Sequence, residues 1–175
     1  MIVYDNDMKN TLYLRVYAWL MLVFLAIPTV WACSSAVISG KVTPDGRPLL
    51  WKNRETGHLR NHMAYIKGEK FDFVANVNSD NFPAKKEAWM GSNEAGFALM
   101  NTQSFNLVKG DIADDDRGPA NGEVIYRALE ICATVADFCH FLDTIQKPSG
   151  IEANFGVIDA QGGAAMFEVD EHSYR

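Results

Sequence analysis

The fold is decided by the stretch from Cys33 to Glu55, which reads CSSAVISGKVTPDGRPLLWKNRE. Its two halves are short runs rich in apolar, β-branched or aromatic residues, and they predict strands over 34–39 and 48–53. Between them, residues 43–46 have the composition of a turn, because Pro presets φ and Gly accepts a positive φ. The two strands are therefore expected to form a hairpin.

This hairpin folds the start of the stretch back onto its end. With the turn centred near Asp45, antiparallel pairing predicts Cys33 opposite residues 55 to 57, with Lys52 about three positions further along the same strand. Cys33 is thus brought beside Lys52, Asn53, Arg54 and Glu55.

The residues before this stretch have the pattern of an export signal. Lys9 and Arg15 precede an apolar run from Val16 to Val30, and the small residue Ala32 stands directly before Cys33. These features are typical of the n-region, h-region and cleavage point of a secretory signal. Residues 1–32 are therefore predicted to be a signal peptide. Its removal would leave Cys33 as the first residue of an exported chain, either periplasmic or extracellular.

Two other interpretations of this segment stay open. The apolar run could be a permanent transmembrane helix, although its length is marginal for a span and Pro28 lies near its end. It could also be a lipoprotein signal, in which Cys33 is diacylated and anchors the protein to a membrane. Trp31, a bulky residue directly before Ala32, fits a lipobox poorly.

Composition and charge exclude other classes of protein. Hydrophobic residues make up 48% of the chain and charged residues 22%, which is typical of a globular protein, and one domain is expected over 33–175. The formal net charge is −6 with a sequence pI near 5.1, and no stretch collects Lys and Arg. Because a phosphate backbone requires such basic patches, nucleic acid is not expected as a partner.

No metal or cofactor site is predicted. His58 and His62 are four residues apart, but neither a helical pattern nor a nearby carboxylate supports a zinc site. Asp114–Asp116 lacks the Gly and the distal Glu of a calcium loop. Cys132 and Cys139, if both lie on one helix, are about 10 Å apart along its axis, too far for a disulfide, and are expected to pack in the core.

The rest of the chain predicts an α+β fold with antiparallel sheets. Hairpins are expected where alternating strands flank turn residues, and helices where apolar residues recur at helical spacing after a polar start. The predicted strands and helices are the hairpin His62–Val77, the strands 87–90 and 97–101, the helices 121–132 and 134–145, and the hairpin 154–159 with 164–169.

A cysteine at the start of a mature chain has its own chemistry. Its thiol is a nucleophile and its α-amine has an unperturbed pKa near 8, so one residue can supply both nucleophile and general base. Acyl transfer also needs donors for the oxyanion, groups that lower the thiol pKa and an acid that holds the amine. Lys52, Asn53 and Glu55 are of the required types.

At these residues the sequence resembles the N-terminal-nucleophile (Ntn) hydrolases of the choloylglycine hydrolase and penicillin acyltransferase group. Those enzymes begin with Cys and carry a basic residue, Asn, any residue and an acid on the second strand, which is the pattern of residues 52–55. The segments 91–101, 121–142 and 154–168 fit the same resemblance. Lys52 stands where many members have Arg, and Glu55 where Asp is usual; both substitutions keep the charge.

The resemblance implies an αββα sandwich and the hydrolysis of linear amide C–N bonds through a thioester on Cys33, with acyl transfer to an amine as an extension. Lys52 would tune the thiolate or contact the substrate carbonyl, Glu55 would orient the α-amine, and Asn101 would donate to the oxyanion. The partner would be a small-molecule amide, and a homo-oligomer is left open. Family members also use a later Asn and Arg that this sequence does not reach, so the resemblance implies that 33–175 is the N-terminal part of such a domain.

Each of these roles has a structural alternative. Lys52 and Glu55 could be a solvated surface pair worth under about 1 kcal/mol, and Asn101 could cap its own strand. The whole chain could instead be a lipid-anchored binding protein acylated at Cys33, or an inactive remnant of an enzyme.

Overall fold

The computed structural model describes residues 13, 15–19, 33–104 and 118–175. The chain divides into two units, Met1–Trp31 and Ala32–Arg175. The described residues of the first unit are helical. Across the ranges just given, no helix combines the length and the apolar character that a membrane crossing requires. Most of the predicted signal, its cleavage point and the acidic run 114–116 lie outside the described residues.

The second unit is an α+β fold in which the paired strands run antiparallel, as predicted. Strands β3 to β8 form a six-stranded sheet in chain order, and β1 with β2 forms a separate two-stranded hairpin. The strands are β1 Ser34–Ile38, β2 Leu49–Asn53, β3 Asn61–Ile66, β4 Phe73–Asn78, β5 Met90–Asn93, β6 Ala98–Gln103, β7 Ala153–Ile158 and β8 Ala164–Val169; the helices are α1 Asn121–Ile131 and α2 Val135–Thr144, with a short 3₁₀ turn at Gly40–Val42.

Both helices begin where the sequence predicts them. Before α1, the Glu123 carboxylate accepts a hydrogen bond from the Ala120 N–H at 3.0 Å. Before α2, Thr134 and Asp137 form a reciprocal capping box, in which each side chain accepts from the other residue's backbone N–H. These bonds satisfy N–H groups that a helix start otherwise leaves without partners.

The hydrophobic core lies between one face of the large sheet and the two helices. Phe73, Ala75 and Val77 alternate along β4 and are fully or almost fully buried on this face. Phe138 of α2 meets Phe155 and Phe167 edge-on, with ring centroids 5.7 and 5.3 Å apart. Aromatic pairs in this arrangement are worth about 0.5–1.5 kcal/mol beyond the area that they bury.

The hairpin β1–β2 packs against the opposite face of the sheet, over β6, β7 and β8. Gly156 makes this approach possible, since a Cβ there would lie 2.8 Å from Val37 Cγ2 and 3.1 Å from Leu50 Cδ1. The layer order is therefore helices, large sheet and hairpin. The described residues supply three layers of the predicted αββα sandwich, and no second helical layer is found among them.

One predicted detail, the register of the first hairpin, is wrong. Ser34 pairs with Asn53 and Ser35 with Lys52, a register that continues to Cys33 opposite Arg54 rather than opposite 55–57. The loop from 39 to 48 contains the 3₁₀ turn as well as the turn at 43–46, so its centre lies before Asp45. Cys132 and Cys139 lie on different helices, in agreement with the predicted helices 121–132 and 134–145: Cys132 caps the end of α1 and Cys139 is inside α2.

Candidate active site

The site is built on the inner face of the hairpin. Ser35 pairs with Lys52 and Val37 with Leu50, and these four side chains are half-buried against the large sheet. Because alternate residues of a strand point to the same side, the next pair on this face is Cys33 and Arg54. Two cations and a thiol therefore meet at one end of the hairpin.

Lys52 is anchored to two other parts of the chain. Its Nζ donates to the backbone carbonyl of Trp89 at 2.8 Å and to Asn101 Oδ1 at 3.0 Å. Burial lowers the pKa of Lys52 to about 8; a negative charge on Cys33 acts against this shift, and the positive charge of Arg54 adds to it. Lys52 is thus a half-buried, hydrogen-bonded cation near the thiol, not a fully solvated surface charge.

Asn101 lies inside β6, where it pairs with Phe155, and only 4% of it is exposed. It does not end its strand, as the sequence suggested, since β6 continues to Gln103. An ammonium group only donates hydrogen bonds, so the amide oxygen of Asn101 must face Lys52. The side-chain nitrogen of Asn101 is consequently the group that remains to donate to a ligand.

The Cys33 thiol donates a hydrogen bond to the backbone carbonyl of Glu55 at 3.5 Å. The Glu55 carboxylate accepts from the Asn53 side-chain amide at 3.3 Å. The chain thus turns back at Glu55 so that its carbonyl contacts the thiol. The structure brings Cys33, Lys52 and Asn101 to one end of the hairpin, with Glu55 at the thiol through its backbone.

Arg54 was not predicted as a site residue. Its guanidinium donates to Asn61 Oδ1 and, at 2.9 Å, to Asn78 Oδ1, and lies 4.9 Å from the centroid of the Trp89 ring. Burial lowers the pKa of Arg54, and a negative charge on Cys33 opposes that shift. The signal was present in the sequence, because residues two apart in a strand share a face and Arg54 follows Lys52 by two.

Polar atoms that make no hydrogen bond within the described chain lie in the same area. They are Asn76 Oδ1, Asn78 Nδ2 and Trp89 Nε1, all of them buried. Asn78 and Trp89 are also the residues that hold Arg54. Buried polar atoms without a partner are costly, so their presence marks this region as one that is not optimised for stability alone.

Cys132 and the histidines have surroundings different from that of Cys33. Burial raises the pKa of Cys132 to about 12, which makes it an inert thiol. His62 Nδ1 is 2.9 Å from Ser79 Oγ, and His140 is exposed on α2. Across the described part of the chain, no group of three His, Cys, Asp or Glu side chains is placed to hold a metal ion.

Comparison with known proteins adds one structural likeness. No family model and no curated protein matches this sequence. Among solved structures, penicillin V acylase from Agrobacterium tumefaciens is similar, with a TM-score of 0.46 and 18% sequence identity over 82% of this chain and 39% of that chain. This chain therefore corresponds to well under half of that structure's length. A likeness this weak supports no conclusion about function, so function is inferred from the geometry of the site.

Proposed function

We propose that residues 33–175 carry the nucleophile of an Ntn-type cysteine hydrolase that cleaves linear amide C–N bonds. The observation that supports this most directly is the position of the Lys52 ammonium, held by the Trp89 carbonyl and Asn101 Oδ1 on the face of the hairpin that carries Cys33. A buried cation beside a thiol favours the thiolate, which is the reactive form of cysteine.

The reaction begins when Cys33 is the first residue of the chain. Its α-amine takes the thiol proton, and the sulfur attacks the carbonyl carbon of the amide. The C–N bond then breaks, the proton passes from the α-ammonium to the leaving amine, and the acyl group remains on sulfur as a thioester. A water molecule attacks the thioester and releases the acid; attack by an amine instead gives acyl transfer.

The neighbouring residues supply the other requirements of this chemistry. Asn101 donates its side-chain N–H to the oxyanion, because Lys52 occupies the amide oxygen and leaves the nitrogen for that task. Lys52 supports the thiolate electrostatically. Glu55 fixes the sulfur through its backbone carbonyl and is the carboxylate proposed to orient the α-amine.

Export is part of the same proposal, since it is the removal of residues 1–32 that creates the free amine. The n-region, the apolar run and Ala32 before Cys33 support a cleaved signal and a periplasmic or extracellular enzyme. Its partner is a small-molecule amide, and the mechanism needs no cofactor. A diacylglyceryl group on Cys33 would instead make the protein a lipid-anchored binding protein.

The test is to express the full chain in a bacterial host, determine the mature N-terminus by mass, and assay the purified protein on a panel of linear N-acyl amides. We expect a free N-terminal Cys33, and an acyl adduct on it that is trapped by acid quenching. Cys33→Ala should abolish both the adduct and hydrolysis, whereas the matched variant Cys139→Ala should retain them. Equal hydrolysis by Cys33→Ala, or a lipid on Cys33, would overturn the proposal.

A further inference from the structure

The inner face of β2 carries two cations rather than one. Lys52 and Arg54 occupy alternate positions, and extending the pairing of Ser34 with Asn53 by one residue brings Cys33 opposite Arg54. A thiolate at Cys33 raises the pKa of Lys52 and that of Arg54, against the effect of their burial. The second cation has no role in the mechanism described above.

The contacts of Arg54 orient its charge without cancelling it. Its guanidinium donates to the amide oxygens of Asn61 and Asn78 and lies over the Trp89 ring. All three partners are neutral, so they fix the plane of the guanidinium and leave its positive charge uncompensated by these contacts. Arg54 is half-buried, and its neutral partners leave its positive charge available to the thiolate across the hairpin.

The two cations differ in what they do as the pH rises. The pKa of Lys52 is lowered to about 8, so this residue is losing its proton in the range in which thiols ionise. A guanidinium stays protonated throughout that range, even when burial lowers its pKa. Arg54 is therefore the charge that persists when Lys52 is neutral.

Close in sequence to the anchors Asn61 and Asn78, Arg60 and Asp80 form an ion pair at 2.9 Å. On the chain leaving β2, Glu55 is the neighbouring carboxylate. The strands β4, β5, β6 and β7 carry no charged or titratable side chain within their bounds; β3 carries His62, bonded to Ser79, and the phenol of Tyr65, and β8 carries Glu168, paired with Arg175. The α-amine of Cys33 joins this set once the preceding residues are removed.

We propose that Arg54 is the permanent counter-charge of the Cys33 thiolate, a positioning residue on the face of the hairpin that carries the nucleophile. This rests on the proposed role of Cys33 as the nucleophile. The two cations then have different roles. Lys52 orients the Asn101 amide, and Arg54 balances the negative charge on the sulfur of Cys33.

The test measures the reactivity of Cys33 rather than amide hydrolysis, so that it can fail separately from the proposed function. The rate of Cys33 alkylation by iodoacetamide is followed by peptide mass from pH 5 to 10 in the wild type, Arg54→Gln, Arg54→Lys and Lys52→Met. It is measured in the unprocessed chain, where position 33 has no free amine, and in the processed chain. Protection of the buried Cys132 in each variant shows that the fold is intact.

We expect Arg54→Gln to shift the alkylation profile upward by about one pH unit or more, which is the size of effect that one nearby opposite charge has on an ionisable group. Arg54→Lys should restore most of the wild-type profile, because it returns the charge, and Lys52→Met should shift the profile mainly below about pH 8. An Arg54→Gln profile identical to that of the wild type would overturn the proposal. So would an Arg54→Lys profile as displaced as that of Arg54→Gln, because the guanidinium would then be needed for its shape alone.

Loss of Cys132 protection would reveal that Arg54→Gln does not fold. In that case, Arg54→Lys and Asn61→Ala test whether the charge of Arg54 sets the alkylation profile of Cys33. Asn61 is exposed and provides one of the two amide anchors. Removing that anchor keeps the charge, so the profile should stay within a few tenths of a pH unit of the wild type. A shift as large as one unit in both variants would overturn the proposal.

Discussion

Lys52 and Asn101 are 49 residues apart in the chain and are joined by a hydrogen bond of 3.0 Å from the ammonium to the amide oxygen. The bond crosses from the small hairpin to the large sheet, so it ties together the two elements that form the site. It also fixes which end of the amide faces the cation. The orientation of Asn101 thus depends on a residue of another sheet.

The burial of Lys52 makes the stability of the protein depend on alkaline pH. Its pKa is about 8 in the folded chain and 10.5 ordinarily, so between these values the unfolded chain holds a proton that the folded chain has released. Stability contributed by this position therefore rises with pH across that window. Urea unfolding of the wild type and Lys52→Met at pH 7 and pH 10 should show the wild type gaining relative to the variant at the higher pH.

The control for this comparison is Lys41→Met, which removes an exposed ammonium from the loop of the same hairpin. Its difference from the wild type should stay constant between the two pH values. A constant difference for Lys52→Met as well would contradict the assignment of Lys52 as a cation that is costly to bury.

The role of Asn101 can be separated from that of Cys33. Asn101→Ala should lower kcat for amide hydrolysis by about 10²–10³, as loss of one oxyanion donor does in other acyl-transfer enzymes. The rate of Cys33 alkylation should change far less, because the thiol bonds to Glu55 and not to Asn101. Asn154→Ala, on the neighbouring strand, is the matched control; a drop of similar size in both variants would argue against an oxyanion role.

The three free cysteines should differ sharply in reactivity. Cys132 is buried, with its pKa raised to about 12, so it should resist iodoacetamide in the native protein up to about pH 10 and react only after unfolding. Cys33 should be the first to be alkylated. Peptide mass mapping over time checks this order, and early modification of Cys132 would show that the helix layer is more open than described.

The packing of the hairpin β1–β2 against the large sheet can be tested at Gly156. A Cβ at this position would meet Met100 Cε at 2.4 Å as well as Val37 and Leu50 of the hairpin. Gly156→Val should therefore destabilise the protein by about 1–3 kcal/mol through overpacking and slow the alkylation of Cys33 by displacing β1. Gly57→Val, where a Cβ meets nothing within 4 Å, is the control; equal stability of the two variants would mean that the hairpin does not rest on Gly156.

The strands and helices were largely predictable because their signals are local. The alternation in β3 and β4, the Thr134–Asp137 cap and the turn before β8 each depend on residues that are close in sequence, and each was found. The register of the first hairpin was not found correctly, because an extra 3₁₀ turn moved the centre of the loop. The export signal stays a prediction.

The site was only partly predictable, for a different physical reason. Lys52, Asn101 and Cys33 were named from their side chains and positions, but the partner that anchors Lys52 is the backbone carbonyl of Trp89. A carbonyl group is present in every residue, so no residue pattern could identify this one. Arg54 was placed beside Cys33 but was given no role, because it stands at a position that the family pattern leaves open.

That carbonyl anchor has an evolutionary consequence. The oxygen that holds the Lys52 ammonium belongs to the main chain, and every amino acid at position 89 would present the same atom. Drift at this position can therefore alter the ring that supports Arg54 while leaving the lysine in place. The hydrogen bond of Lys52 is therefore insensitive to mutation of residue 89, whereas the ring contact of Arg54 is sensitive to it.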